Sequence, residues 1–131
     1  MAESEQDRRA GFRISVGELP DAVAERLVVY VIHQARSRKT EPLDFSLSGV
    51  LVVDPDAALS VGDHVTVHLS FDDRYLLLPG AVVRTVQGGA AGIHFPDSVK
   101  NGEFDPPDEL ARIHRALEQA WLQSRRGRAR Q

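Results

Sequence analysis

The sequence predicts a mainly β domain, an antiparallel barrel or sandwich, followed by one C-terminal amphipathic helix. The stretch HVTVHLSF, residues 64–71, alternates polar and apolar residues with the period of two that a half-buried strand shows. Several other short apolar runs are separated by turn-forming residues, which is typical of antiparallel architectures. Beyond Asp105 the apolar positions instead recur three and four residues apart, which is the period of a helix.

The first strands can be followed from turn to turn. RLVVYVIHQ, residues 26–34, is apolar and rich in β-branched residues, which favours a buried strand. ARSRKTEP, residues 35–42, is polar and ends in proline, so it predicts a turn. LDFSLSGVLVV, residues 43–53, is a second strand region that Gly49 interrupts. DPDAALSVGD, residues 54–63, again has the composition of a turn.

The remaining strands follow the alternating segment. DDR, residues 72–74, predicts a tight turn, and YLLLPGAVVRTV, residues 75–86, predicts another strand. The Pro79–Gly80 pair within that strand predicts a bulge or a bend. QGGAA, residues 87–91, predicts a hairpin turn, and GIHF, residues 92–95, a short return strand.

Both ends of the chain differ from its strand-rich middle. Residues 1–13 are polar and charged, which predicts a flexible arm ahead of a barrel over residues 14–104. Asp105 and two prolines open a helix predicted over residues 105–124, and the basic residues 125–131 predict a disordered tail. The helix is expected to pack on the barrel through four residues of one face: Leu110, Ile113, Leu117 and Trp121.

Composition excludes several classes of function. The 131 residues contain no cysteine, which excludes disulfides, thiolate metal sites and cysteine nucleophiles. The N-terminus is polar and no apolar run approaches the roughly 20 residues of a membrane span, so a cytoplasmic protein is expected. The net charge of −3 and the few aromatic residues make nucleic acid an unlikely partner.

Catalytic and metal-binding patterns are also missing. The sequence has neither a nucleophile elbow nor a glycine-rich phosphate loop before a helix, so we expect a protein that is not an enzyme and needs no cofactor. His64 and His68 share one strand face, but no third ligand stands at a useful spacing. A polar outer face explains this histidine pair better than a metal site.

The motif DFSLSG, residues 44–49, has the pattern DxSxxG and contains the candidate ligand-binding residues. Asp44 and Ser46 are two positions apart, so in a strand they share one face. Gly49 has no Cβ, which lets a ligand or a neighbouring backbone approach closely, or allows a positive φ. A ligand-binding site at the start of the strand would explain these residues. The ordinary alternative is a turn held by local hydrogen bonds to the backbone.

A second motif, RxxxR, lies upstream in RRAGFR, which contains Arg8, Arg9 and Arg13. The guanidinium fork pairs bidentately with phosphate and with the O6 and N7 edge of guanine. A carboxylate such as Asp44 accepts hydrogen bonds from the opposite edge of guanine, which carries N1–H and N2–H. The ordinary alternative for the three arginines is a solvated charge run.

RxxxR followed by DxSxxG, on a chain of this size with a strand-rich middle, resembles the PilZ domain family of bacterial cyclic di-GMP receptors. The resemblance covers about residues 8–97 and implies a six-stranded antiparallel β-barrel with GIHF as its last short strand. In this family an arginine directly before RxxxR is associated with binding a stacked ligand pair, so two cyclic di-GMP molecules per chain are expected. The resemblance implies these ligand-binding residues: Arg8, Arg9, Arg13, Asp44, Ser46 and Gly49.

The resemblance implies a receptor that signals through an unidentified partner protein when ligand orders its N-terminal arm. The alternative is a PilZ-like adaptor, in pilus assembly or motility, that binds no nucleotide. The segment between Arg13 and Asp44 is longer than the family often has. The additional residues are expected in residues 17–27 or in residues 35–42.

Overall fold

The computed structural model describes residues 13–129, with side chains described as far as Gln123. Eight strands form one antiparallel sheet in the order β1-β4-β5-β8-β7-β6-β2-β3, and a separate two-stranded hairpin follows. The strands are β1 Ile14–Ser15, β2 Leu27–His33, β3 Arg36–Thr40, β4 Pro42–Ser46, β5 Gly49–Val53, β6 His64–Phe71, β7 Arg74–Gln87, β8 Ala90–His94, β9 Val99–Lys100 and β10 Glu103–Phe104.

The sheet curls around the hydrophobic core. Although β2 and β4 lie near opposite ends of the strand order, they contact each other. The alternation predicted for β6 is confirmed, because its four apolar residues are buried and the residues between them are not. These four side chains occupy the centre of the core: Val65, Val67, Leu69 and Phe71. The mainly β architecture, a curled antiparallel sheet with a C-terminal helix, is therefore as predicted.

The sheet has eight strands where six were predicted. The first extra strand, β1, has only two residues and pairs with β4. The second, β3, was predicted to be a turn because it is polar, but it pairs with β2 over five residues. It lies at one edge of the sheet, where a strand needs no buried face and charged residues are common. The turn is shorter than predicted and consists of Gln34 and Ala35, both at positive φ.

The region predicted as one interrupted strand, residues 43–53, is a hairpin. β4 ends at Ser46, β5 begins at Gly49, and these two residues face each other across a two-residue turn. Two further turns occur where they were predicted. Asp72 adopts a positive φ between β6 and β7, and Gly88 and Gly89 do so between β7 and β8.

The predicted bulge at Pro79–Gly80 is also present. The register between β6 and β7 shifts there, since Val65 faces Ala81 while Val67 faces Leu78. A step of two residues along β6 therefore corresponds to a step of three along β7. The extra residue forms a bulge, where a strand tolerates a proline that cannot donate a ladder hydrogen bond. This bulge bends β7, and a second one farther along the strand lies at the candidate site.

The longer helix, α2 (Asp108–Ala129), begins at Asp108 rather than Asp105 and continues to Ala129 instead of ending near residue 124. Its backbone thus extends into the segment predicted to be a disordered tail. The predicted contact face is correct. Leu110, Ile113 and Leu117 are fully buried, and Trp121 packs partly buried against the core.

Side-chain hydrogen bonds hold α2 at two places. Near its start, Arg74 Nη1 donates a hydrogen bond to Glu109 Oε1 at 3.3 Å. In its second half, Trp121 Nε1 donates to Glu18 Oε2 at 2.9 Å. Glu18 lies in the segment after β1, which forms a 3₁₀ turn (Val16–Glu18) and a short helix, α1 (Asp21–Ala24). The extra length between Arg13 and Asp44 is therefore used by these two elements and by β3.

Candidate ligand-binding site

A shallow cleft of about 200 Å³ lies where the β4–β5 hairpin meets β8 and β7. The four sequence-predicted residues that the structure describes all line it: Arg13, Asp44, Ser46 and Gly49. Arg8 and Arg9, the other two predicted ligand residues, lie outside the described residues. Sheet topology brings Arg13 to the DxSxxG motif although they are far apart in sequence.

The pairing of β1 with β4 explains this proximity. Ile14 faces Phe45 and Ser15 faces Asp44 in antiparallel register. One step beyond this ladder, Arg13 therefore stands beside Ser46, at the end of β4 that opens on the cleft. The Arg13 side chain is exposed. The β1–β4 pairing thus places Arg13 at the cleft.

Asp44 and Ser46 differ in their surroundings. Ser46 is 4% exposed, and its hydroxyl is used within the hairpin turn, where it accepts a hydrogen bond from Ser48 N at 3.2 Å. It also lies 3.1 Å from Ser48 Oγ. Asp44 is half-buried, and its carboxylate makes no hydrogen bond or ion pair with the described part of the chain. Ser46 thus shapes the turn, while the Asp44 carboxylate is available to a ligand.

The turn is also held from outside. Phe95 N donates to Ser48 O at 2.8 Å, and Ser98 Oγ donates to Leu47 O. Both donors come from the segment after β8, and Ser98 is 1% exposed. These bonds fix the hairpin tip against the barrel, so the position of Asp44 does not depend on the turn alone.

Gly49 allows two strands to approach closely. A Cβ placed on Gly49 would lie 2.3 Å from the carbonyl oxygen of Ile93, on the neighbouring β8. Real Cβ atoms essentially never come within 3.0 Å of such a neighbour. The sequence left open whether ligand or backbone required this glycine, and the geometry gives a backbone reason.

Sequence reasoning missed the far wall of the cleft, which β7 and β8 provide through Arg84, Thr85 and His94. The register shifts between Val83 and Thr85, since these residues face Ile93 and Gly92, which are consecutive in β8. Arg84 is therefore the extra residue of a β-bulge. No local sequence signal marks this bulge, because neither glycine nor proline is present there.

The electrostatics of the cleft favour an anionic ligand. Arg13 and Arg84 line it together with His94, and Asp44 is the single carboxylate among its described lining residues. Burial and, second, the positive charge of Arg84 lower the pKa of His94 from its ordinary value of 6.5, while a hydrogen bond to the Ser48 backbone acts in the opposite direction. His94 is thus mainly neutral at neutral pH, and the two guanidinium groups carry the positive charge.

Comparison with known families agrees with this arrangement. The family model described as the PilZ domain matches residues 7–115, which includes both motifs and all eight strands of the main sheet. The chain belongs to the PilZ domain family. PilZ domains are ligand-binding receptors and not enzymes. No curated protein matches the sequence.

Solved structures that align with this chain include a protein in complex with c-di-GMP. The PlzA protein of Borreliella burgdorferi in complex with c-di-GMP aligns with a TM-score of 0.51 and 16% identity, over 88% of this chain and 41% of that chain. An uncharacterised Legionella protein, Lpg0364, aligns with a TM-score of 0.49 and 16% identity, over 88% of this chain and 98% of that one. Within residues 13–129, none of the helices has the length and apolar character needed to span a membrane.

Proposed function

We propose that this PilZ domain is a cyclic di-GMP receptor that signals through a partner protein. The observation that carries the proposal is the meeting of Arg13 and Asp44 in one cleft, beside Ser46 and Gly49. The motifs that suggested the ligand are separated in sequence by three strands and a short helix. A chance resemblance would give no reason for them to share a cleft.

The chemistry of the cleft suits a guanine nucleotide. The Asp44 carboxylate accepts hydrogen bonds from the N1–H and N2–H edge of one guanine. Arg13 pairs with a phosphate or with the O6 and N7 edge of a base. Arg8 and Arg9, which precede Arg13 in the arm, add two further guanidinium groups. The fixed hairpin tip keeps the carboxylate in place before the ligand arrives, which limits the entropic cost of binding.

The signal is proposed to arise in the N-terminal arm. Residues 1–13 are too polar to bury a face of their own. Ligand phosphates that neutralise the arginines would order the arm across the cleft, and the changed surface would be read by an effector protein in the cytoplasm. Arg8, next to RxxxR, would contact the outer molecule of a stacked pair and so give two ligands per chain.

Calorimetric titration with cyclic di-GMP tests the ligand and its site. Arg13→Ala and Asp44→Ala should each weaken binding by about 10- to 150-fold, because each removes a charge-assisted contact of about 1.5–3 kcal/mol. Two exposed residues away from the cleft serve as matched controls, Arg115→Ala and Asp73→Ala, and should bind like wild type. Unchanged affinity in both site variants would mean that the motif match is accidental.

The same titration addresses stoichiometry, and hydrogen exchange addresses the arm. The wild type should bind two ligands, and Arg8→Leu should bind one. A ratio of one that does not change in Arg8→Leu would remove Arg8 from the proposal. Exchange within residues 1–13 should slow when ligand is added. Protection that is already present without ligand, or that does not change on binding, would rule out the arm as the switch.

A nucleotide-free adaptor is the alternative function, and one observation supports the protein contact that it requires. The outer face of β7 exposes two large apolar side chains, Tyr75 and Leu77, at 68% and 54%. Exposed apolar residues on a sheet face are suited to contact with another protein. Both functions need such a contact, so ligand binding distinguishes them: an adaptor of this kind would give no heat on titration with cyclic di-GMP.

A further inference from the structure

The bulge in β7 presents two successive side chains to the cleft. Val83 is fully buried, whereas Arg84 and Thr85 are both exposed, so the inward–outward alternation of the strand is broken after Val83. In an unbroken strand one of these two neighbours would point to the core. The extra residue instead leaves both free to line the cleft. Bulges commonly redirect a side chain in this way beside functional sites.

Two glycines lie between the two walls of the cleft. Gly92 faces Thr85 across the β7–β8 ladder, and Gly49 faces His94 across the β5–β8 ladder. A Cβ on Gly92 would lie 2.3 Å from Thr85 Oγ1, so Thr85 packs directly over the glycine. The two glycines add no side chains to the middle of the cleft, and Thr85 and Leu51 are the side chains next to Gly92.

Arg84 has no acidic partner among the described residues. Four described arginines form ion pairs, and all four lie outside the cleft: Arg26, Arg38, Arg74 and Arg112. Arg13 and Arg84 do line it, and no ion pair of either is found among residues 13–123. Their guanidinium groups are therefore not occupied by the protein's own carboxylates.

We propose that Arg84, presented by this bulge, is a further ligand contact, and that it binds a phosphate of the cyclic dinucleotide from the wall opposite Asp44. The inference rests on the proposed function and adds to it a residue outside both motifs. Neighbouring strands lie about 4.8 Å apart, so β4 and β7, three places apart in the sheet, are separated by about 14 Å. A guanine bound at Asp44 would not reach across this distance, whereas the sugar–phosphate ring of the same ligand would extend across β5 and β8 toward Arg84.

Titration of the full chain with cyclic di-GMP tests the role of Arg84. Arg84→Ala should weaken binding by about 10- to 150-fold, the effect of one lost charge-assisted contact. Arg84→Lys should regain part of the affinity, because lysine keeps a positive charge that a phosphate accepts, and Arg84→Gln should not. Arg115→Ala is the matched control, an exposed arginine on α2, and should bind like wild type.

The outcomes separate this inference from the function on which it rests. If the wild type gives no binding heat, the proposed function fails. If the wild type binds and Arg13→Ala weakens binding while Arg84→Ala does not, only the role of Arg84 is wrong. Thermal unfolding of the Arg84 variants shows whether each is folded. If Arg84→Ala does not fold, the comparison of Arg84→Gln with Arg84→Lys decides, and equal affinity in these two variants overturns the phosphate contact.

Discussion

Gly49 offers the sharpest test of how the hairpin is held, through the substitution Gly49→Ala. The new methyl group would lie 2.3 Å from Ile93 O and 3.3 Å from Ile93 C. Both are backbone atoms of β8, so no side-chain rotation relieves the clash. The oxygen must move beyond 3.0 Å, and β5 and β8 must separate locally.

The expected cost follows from the ladder that this movement disturbs. One or two hydrogen bonds between β5 and β8 would weaken or break, and each contributes about 0.5–1.5 kcal/mol. Alanine also restricts the unfolded chain, which returns about 0.4–1 kcal/mol. The midpoints of these ranges are about 1.75 and 0.7 kcal/mol, so we expect Gly49→Ala to lower the free energy of unfolding by about 1 kcal/mol.

Urea-induced unfolding, followed by the fluorescence of the single tryptophan Trp121, measures this free energy. Gly17→Ala is a matched control, because Gly17 has no positive φ and a Cβ there meets nothing within 4 Å. That variant should be unchanged or more stable by about 0.4–1 kcal/mol. Equal stabilities of the two variants would refute the reasoning, since they would show that β5 and β8 do not approach as closely as described.

Two further predictions concern the helix and one histidine. Leu117→Ala should cost about 2–5 kcal/mol of unfolding free energy because Leu117 is fully buried, whereas Leu122→Ala, at a 40% exposed position of the same helix, should stay within about 0.5 kcal/mol. A near-neutral Leu117→Ala would contradict the docking of α2. The pKa of His94 in the folded protein lies below its ordinary value of 6.5. At a pH between the folded and the unfolded pKa, the unfolded chain therefore binds more protons than the folded chain. The stability of the wild type should thus fall as the pH drops through 6.5. Urea unfolding between pH 8 and pH 5 should show the wild type losing stability relative to His94→Gln, and parallel curves would mean that burial and Arg84 do not act on this group.

The fold was largely predictable because most strands have one buried and one exposed face. β6 shows this pattern in its sequence, and the helix shows the corresponding three- and four-residue spacing. β3 was missed for a physical reason. It pairs along one side only, so hydrogen bonding to β2 fixes it without an apolar pattern. Its sequence, RSRKT, therefore has the composition of a turn although its backbone is that of a strand.

The motif wall of the cleft was predictable because both of its parts lie in short sequence patterns. The hairpin between β4 and β5 explains the spacing within DxSxxG. Ser46 and Gly49 must be three apart to face each other across a two-residue turn, and Asp44 is on the same face as Ser46. The sequence did not reveal that the three residues have different roles. Ser46 holds the turn, Gly49 allows the close contact between β5 and β8, and the Asp44 carboxylate remains available to ligand.

The far wall was not predictable, because the feature that forms it is a register shift. Arg84 stands in VVRTV, where a regular strand would give it a neighbour facing the core. Only the pairing of Val83 with Ile93 and of Thr85 with Gly92 shows that one residue is unpaired. A bulge depends on the partner strand as much as on its own residues. A barrel with the same motifs but without this bulge would therefore have one outward side chain fewer on the opposite wall of the cleft. We expect family members with identical motifs to differ in ligand affinity because of such residues outside the motifs.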